Sequence, residues 1–227
     1  MGNKYYRLLK LIDKNFKFRH EIYNARLEGL LTPGTVWLDI GCGDNSIIGQ
    51  FGNRCRSAAG FDISRSSKLS GKNFIRADLT RIPFKGESVD LVTLRMVVEH
   101  LKDIPEDLLE VERILKKGGT VLLMTTNILS PLVFIGRLFP DNLKRWLIGL
   151  LFKIDREVIF PAYHRFNSFS RLKKGAGRLR IKDLEFIEQA SPQNSLLFFT
   201  FLIPFLLTRI RLLRYFRSNI IALFEKV

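Results

Sequence analysis

Cysteine is nearly absent from this chain. Cys42 and Cys55 are the two in 227 residues, too few for a disulfide framework, so a reducing cytoplasm is the expected setting. Long apolar runs are missing too. The most apolar stretch, Leu196 to Leu207, contains Pro204, and as a helix it would cover roughly 18 Å of a ~30 Å hydrocarbon core. The N-terminus, MGNKYYRLLKLIDKNFKFRH, carries Lys or Arg every few residues and does not read as a signal peptide, so the chain is expected to stay inside the cell. There is no internal repeat and no low-complexity segment. Negative charge is scarce: 22 Asp and Glu against 37 Lys and Arg leave a net charge of +15. Such a surface should attract nucleic acid, an anionic membrane face or an acidic substrate, and charge alone does not choose among them. With 46% hydrophobic and 26% charged residues, the chain can bury one full-sized core with appended helices, and one domain is expected over residues 1–227.

Along the chain, Lys4 to Leu31 repeats apolar residues at helical spacing and predicts one or two amphipathic helices, stopped by Thr32-Pro33-Gly34. Residues 1–34 thus precede a core of residues 35–127. There, β-branched and aromatic runs at Thr35–Ile40, Ser57–Ile63, Asn73–Ala77, Val89–Leu94 and Thr120–Thr125 predict five strands, most of them separated by helical stretches. The clearest helix spans Pro105–Lys116, with Gly118-Gly119 expected to end it. Strands alternating with helices mean an α/β fold on a parallel sheet, with helices on both faces. Residues 128–172 lose this rhythm: Ile128 to Phe160 is apolar and aromatic with interspersed Arg and Lys, and reads as inserted helices. In residues 173–227, Leu179–Gln189 and Asn219–Lys226 read as strands around the apolar run and its trailing arginines.

The segment VWLDIGCGDNS carries the chemistry. A buried strand ends in Asp39 and breaks into Gly41-Cys42-Gly43, where glycines let the backbone turn sharply and approach a ligand. Nicotinamide enzymes seat a pyrophosphate on such a turn. Here Ser46 stands where their third glycine would fall, and Asp39 and Asp44 bring carboxylates that suit an ammonium and a sulfonium instead. Asp62, about twenty residues on at the end of the next strand, can accept both ribose hydroxyl protons. Asp78, ending the third, can take a hydrogen bond from an adenine amino group while Leu79 packs on the base; it can equally be a helix cap. Three acidic strand ends in this order converge on the carboxyl edge of the sheet, where open α/β folds bind ligands.

VWLDIGCGDN, GFDIS, ADLTRIPF, SVDLVTLRMVVEHL and LLEVERILKKGGTVLLMTTN resemble the successive motifs of class I S-adenosylmethionine methyltransferases, in the small-molecule, type 11-like branch. The resemblance covers about Thr35 to Asn127. It implies a Rossmann-like seven-stranded sheet whose last two strands form an antiparallel edge hairpin, with S-adenosylmethionine as cofactor. Asp39, Gly41, Cys42 and Gly43 would hold the methionyl part, Asp62 and Ile63 the ribose and adenine, Asp78 and Leu79 the adenine. Arg95 would sit near the methyl donor. Where family members often have a further glycine this chain has Asn45, which tolerates left-handed backbone.

On the acceptor side, His100 is the candidate general base; the alternative is that EHL opens the next helix with His100 packed on the sheet. VVEHL also resembles the segment in ubiquinone-biosynthesis O-methyltransferases whose glutamates and histidine bind a divalent metal. Met96 replaces one of those glutamates, and no metal is expected. Tyr163, His164 and Arg165 are candidate substrate residues. The expected acceptor is a small, hydrophobic or lipid-linked molecule. Amino-directed nucleic-acid enzymes usually carry an Asn/Asp-Pro-Pro-aromatic motif after the fourth strand where this chain has LRMV, so nucleic acid is the lesser expectation. The Leu196–Leu207 run reads as a buried core helix, a homodimer contact, or an interfacial element with Arg209, Arg211, Arg214 and Arg217 at lipid headgroups. Of these, peripheral association with the inner membrane face is preferred.

Overall fold

The computed structural model describes residues 2–63, 73–102, 104–152, 160–175, 177–189 and 195–227. Its strands are β1 (Val36–Ile40), β2 (Ser57–Asp62), β3 (Phe74–Arg76), β4 (Val89–Arg95), β5 (Leu115–Thr126), β6 (Leu179–Ile187) and β7 (Asn219–Lys226). They make one seven-stranded sheet in the order β3-β2-β1-β4-β5-β7-β6. Pairing is parallel from β3 through β5, and β7 runs antiparallel to both β5 and β6. The expected Rossmann-like sheet and its edge hairpin are therefore both present. Its helices are α1 (Gly2–Ile12), α2 (Arg19–Leu30), α3 (Ser46–Phe51), α4 (Ile104–Ile114), α5 (Pro131–Arg137), α6 (Asp141–Phe152), α7 (Phe169–Gly175) and α8 (Ser195–Leu207). α5 and α6 form the expected insertion.

Alternation along the central strands divides the core. Leu38 and Ile40 of β1, Val92 and Leu94 of β4 and Val121 and Leu123 of β5 pack with Leu108, Val111 and Ile114 of α4 and Leu172 of α7. Trp37, Leu91, Leu122 and Met124 point the other way, onto Tyr23 and Leu27 of α2 and Ile47, Ile48 and Phe51 of α3. Side chains one residue apart on a strand face opposite sides, so Asp39 shares the α2 side with Trp37. Burying both faces is what allows a parallel sheet to exist.

One expectation needs correction. The helix before β5 stops at Ile114, and Leu115 already pairs with Val89 of β4. Gly118-Gly119 lies within β5, where pairing resumes at Thr120 with Leu91. Gly118 has φ +73°, and a Cβ on Gly119 would lie 2.8 Å from the Lys116 carbonyl. These glycines bend a strand; they do not cap a helix. For α8, one face takes the core reading: it forms a separate aromatic core with α1. Leu9, Phe16, Phe198 and Phe205 are buried together, with Tyr5 stacked on Phe198 at 4.5 Å and Phe16 edge-on to Phe205 at 5.6 Å. Of the four arginines expected at headgroups, two have structural work. Arg209 pairs with Asp13 at 3.0 Å, and Arg217 donates to the Phe186 carbonyl at 3.0 Å.

Because Phe198 fills this small core, Phe198→Ala should cost about 3–5 kcal/mol locally. Hydrogen exchange checks it: α1 amides should exchange much faster while β1, β4 and β5 stay protected. Unchanged exchange in α1 would contradict the packing.

Candidate functional site

The turn after β1 is built on three left-handed residues, Gly41 (φ +70°), Gly43 (φ +57°) and Asn45 (φ +61°). Asn45 takes the conformation that glycine would otherwise supply. The Gly41 and Cys42 amides both donate to the Phe61 carbonyl, at 2.7 and 3.2 Å, which clamps the ends of β1 and β2 together. Beneath the turn, Gly60 leaves room for its neighbours: a Cβ there would meet Asn45 Oδ1 at 1.9 Å and Cys42 Sγ at 2.8 Å. Cys42 is thus a packing residue under the loop, and burial with the neighbouring carboxylates pushes its thiol up to about 12. Above the turn there is space. A Cβ on Gly43 would touch nothing within 4 Å.

Asp39 is buried and accepts a 2.6 Å hydrogen bond from the Thr93 hydroxyl, which in turn accepts from Trp37 Nε1 at 2.8 Å. Asp62 ends β2 with Oδ2 on the Gly43 amide at 2.9 Å, so the second acidic strand end reaches the glycine turn. Ile63 beside it is 57% exposed and offers a flat apolar contact. Asp78 caps the short 3-10 turn Leu79–Arg81, its Oδ1 accepting from the Thr80 amide and hydroxyl, both at 2.9 Å. Capping, weighed above as the alternative, is what Oδ1 does. Leu79 is mostly taken by the core.

Arg95 ends β4 within electrostatic reach of Asp39 and Asp44. Beyond it, Met96 adopts φ +60°, an uncommon conformation for its residue type, and leads into the 3-10 turn Val98–His100. Here Glu99, not His100, is the buried group. Its Oε2 accepts from Thr125 at 2.8 Å, and Asn167 Nδ2 donates to the same threonine at 2.6 Å. Burial pushes the Glu99 carboxyl up, opposed by hydrogen bonds and by the charges of His100 and Arg19. Its carbonyl accepts from the Tyr163 and His164 amides at 2.7 and 3.1 Å, so the candidate acceptor segment is clipped beside the turn. His100 lies half-buried with Nδ1 2.8 Å from the Pro161 carbonyl. A carbonyl only accepts, so Nδ1 carries the proton and a neutral ring keeps its lone pair on Nε2. Phe160 stands edge-on to that ring at 6.1 Å. Tyr163 is partly exposed under Lys102. His164 is buried with φ +52°, and Arg165 is held by the Lys102 carbonyl.

Sequence reasoning missed Arg19, Thr93, Thr125 and Asn167. Arg19 opens α2 and donates to Gln189 Oε1 and Asn219 Oδ1 at 2.8 and 3.0 Å, near enough to Glu99 and Arg95 to feel both charges. Nothing local marks it among so many basic residues. Thr93 had a signal, the one hydroxyl in the apolar run Leu91–Leu94 of β4.

An open α/β sheet with a glycine turn and acidic strand ends at its carboxyl edge defines a nucleoside-binding Rossmann-like protein. Comparison sharpens the class. Residues 38–123 match the family model described as a methyltransferase domain. An uncharacterized protein of Methanocaldococcus jannaschii is 27% identical over 136 residues, covering 57% of this chain and 63% of that protein. A "Probable S-adenosylmethionine-dependent methyltransferase" of Mycolicibacterium smegmatis is 30% identical over 124 residues, 52% of this chain and 48% of that protein. The chain thus spans about half to two thirds of the length of these relatives. Among solved structures, a SAM dependent methyltransferase from Archaeoglobus fulgidus superposes with a TM-score of 0.60 at 17% identity, covering 98% of this chain and 100% of that one. Residues 38–123 thus match a methyltransferase domain, and the sheet has the fold of S-adenosylmethionine-dependent methyltransferases of known structure. The residues present fit that cofactor: space over Gly43, carboxylates for its cationic centre, Arg19 and Arg95 for its carboxylate, and exposed Ile63 for its base.

Burial raises the Asp39 carboxyl from 3.8 to about 6, with Thr93 and Arg95 opposing and Asp62 adding to the shift. The folded, ligand-free protein therefore holds this proton more tightly than the unfolded chain does. That contribution to stability is complete below about pH 4 and is lost as pH rises to about 6. Asp39→Asn should then be more stable than the wild type at pH 7, by up to about 3 kcal/mol. Urea denaturation at pH 4 and pH 7 measures it; equal stabilities at pH 7 would contradict the buried charge.

Proposed function

We propose that this protein transfers a methyl group from S-adenosylmethionine to a hydrophobic or lipid-linked acceptor. The observation that carries the acceptor class is the apolar character of the surface beside His100. Phe160 and Tyr163 are 47% and 37% exposed there, and elsewhere along the chain Leu129, with Phe134 and Ile135 of α5, are 49%, 54% and 50% exposed. Exposed apolar area in this quantity, beside a crevice, marks a binding surface.

The cofactor supplies an electrophilic sulfonium methyl. On this reading Asp39, Asp62 and the backbone of Gly41 and Gly43 hold the amino-acid and ribose parts, with Ile63, Asp78 and the edge of Leu79 at the base. Arg19 and Arg95 balance the acidic turn. Holding the reacting groups in line contributes roughly 7–11 kcal/mol. For a hydroxyl acceptor, Nε2 of His100 takes the proton, its ring oriented by the Pro161 carbonyl, while Glu99 positions the Tyr163–Arg165 segment through its own carbonyl.

Incubation with methyl-labelled cofactor and separate lipid, RNA and aqueous extracts tests the proposal. Label should enter the lipid fraction; label in RNA or in soluble metabolites would overturn the acceptor class. Asp62→Ala should weaken cofactor binding by about 1–3 kcal/mol. His100→Ala should lower turnover about 10²–10⁴-fold with cofactor affinity unchanged, and full turnover in that variant would return His100 to a structural role.

A further inference from the structure

We propose that the α1–α8 pair is a docking face for an anionic membrane surface. α8 has no charged residue among its 13. One side is spent on the aromatic core with α1, and the other is not: Leu196, Phe199, Ile203 and Leu207 are 66%, 57%, 63% and 52% exposed. Their spacing of three, four and four residues makes a single stripe. The stripe continues into Ile210 and Leu212, 56% and 79% exposed, and Leu11 of α1 beside it is 81% exposed.

The polar groups bordering this stripe have one sign. Arg211 and Arg214 are exposed after α8, as are Lys4 and Arg7 on α1, which has no acidic residue. Asp13 nearby is paired with Arg209. A second copy across a two-fold axis would set like charge against like, and a polyanion in water has no use for the stripe. An anionic bilayer suits both features, with apolar side chains in the acyl boundary and cations among headgroups. Docking would be in the membrane plane, since no helix among the described residues is long and apolar enough to cross.

The face is connected to the site. α8 leaves from the carboxyl end of β6, and Asn127, just past β5, donates through Nδ2 to the Tyr215 and Arg217 carbonyls at 2.8 and 2.7 Å. The sheet edge bearing Glu99 and the glycine turn is thereby tied to the docking element. Lipid delivery to that edge rests on the function proposed above, whereas docking itself does not.

Co-sedimentation with phosphatidylcholine vesicles, with and without a quarter of phosphatidylglycerol, is the test, run without cofactor at low and high salt. The protein should pellet with the anionic vesicles and less with the neutral ones. A Leu196→Ser, Phe199→Ser, Ile203→Ser variant should lose at least tenfold in affinity at every salt concentration while keeping its Tm, because these side chains are exposed. Arg211→Gln with Arg214→Gln should lose about thirtyfold at low salt and flatten the salt dependence. Wild-type protein in the supernatant would overturn the proposal, as would unchanged binding by the triple variant. A dimer that the triple variant dissolves, without vesicle binding, would make the face a subunit contact instead. Vesicle binding with no label in lipid would leave docking standing and refute the acceptor class.

Discussion

The site depends on one shared acceptor, the Phe61 carbonyl, which takes hydrogen bonds from both the Gly41 and Cys42 amides. That clamp turns the chain out of β1 and holds the ends of β1 and β2 side by side. Asp62 can then reach the Gly43 amide, and Asp39 comes to lie under the same crevice. The clamp requires backbone that most residues resist: three left-handed positions, and a bare Gly60 beneath so that Asn45 and Cys42 fit. Strain of this kind persists only where the surroundings over-determine it, and here the sheet, α3 and the hydrogen bonds do so together.

A second constraint is the buried carboxyl of Glu99. A charge out of water is costly unless it is hydrogen-bonded or paired, and Glu99 is answered by Thr125, itself held by Asn167. That chain joins the turn after β4 with β5 and the segment before α7. The Tyr163–Arg165 backbone hangs on the same turn, so the proposed acceptor-side surface is positioned by a buried polar cluster as much as by packing. Strong sheet pairing and inserted helices meet at this point, which is where open α/β folds place their chemistry.

How legible this was in the sequence varied with how local each feature is. The glycine turn, Asp39, Asp62 and the strand rhythm lie within short windows, and both edge strands were readable despite the long insertion between them. Asn45 could be trusted because its backbone tolerance is intrinsic. The Glu99 cage was not readable, since its partners come from residues 26 and 68 positions away. α8 stayed open for another reason. It is apolar all round, so periodicity could not separate the face packed on α1 from the exposed one, and Phe198 and Phe205 proved to be core. Gly118-Gly119 looked like a helix end because the same residues serve equally well at a bend in a strand.

Acidic strand ends around an open glycine turn are proposed to bind the cationic amino-acid end of S-adenosylmethionine. Calorimetric titration of the cofactor from pH 5 to pH 8 tests it most directly, comparing wild type with Asp39→Asn. Binding should tighten as pH rises through about 6, where Asp39 loses its proton, and the variant should bind more weakly with that dependence gone. Absence of binding, or wild-type affinity indifferent to pH across this range, would contradict it.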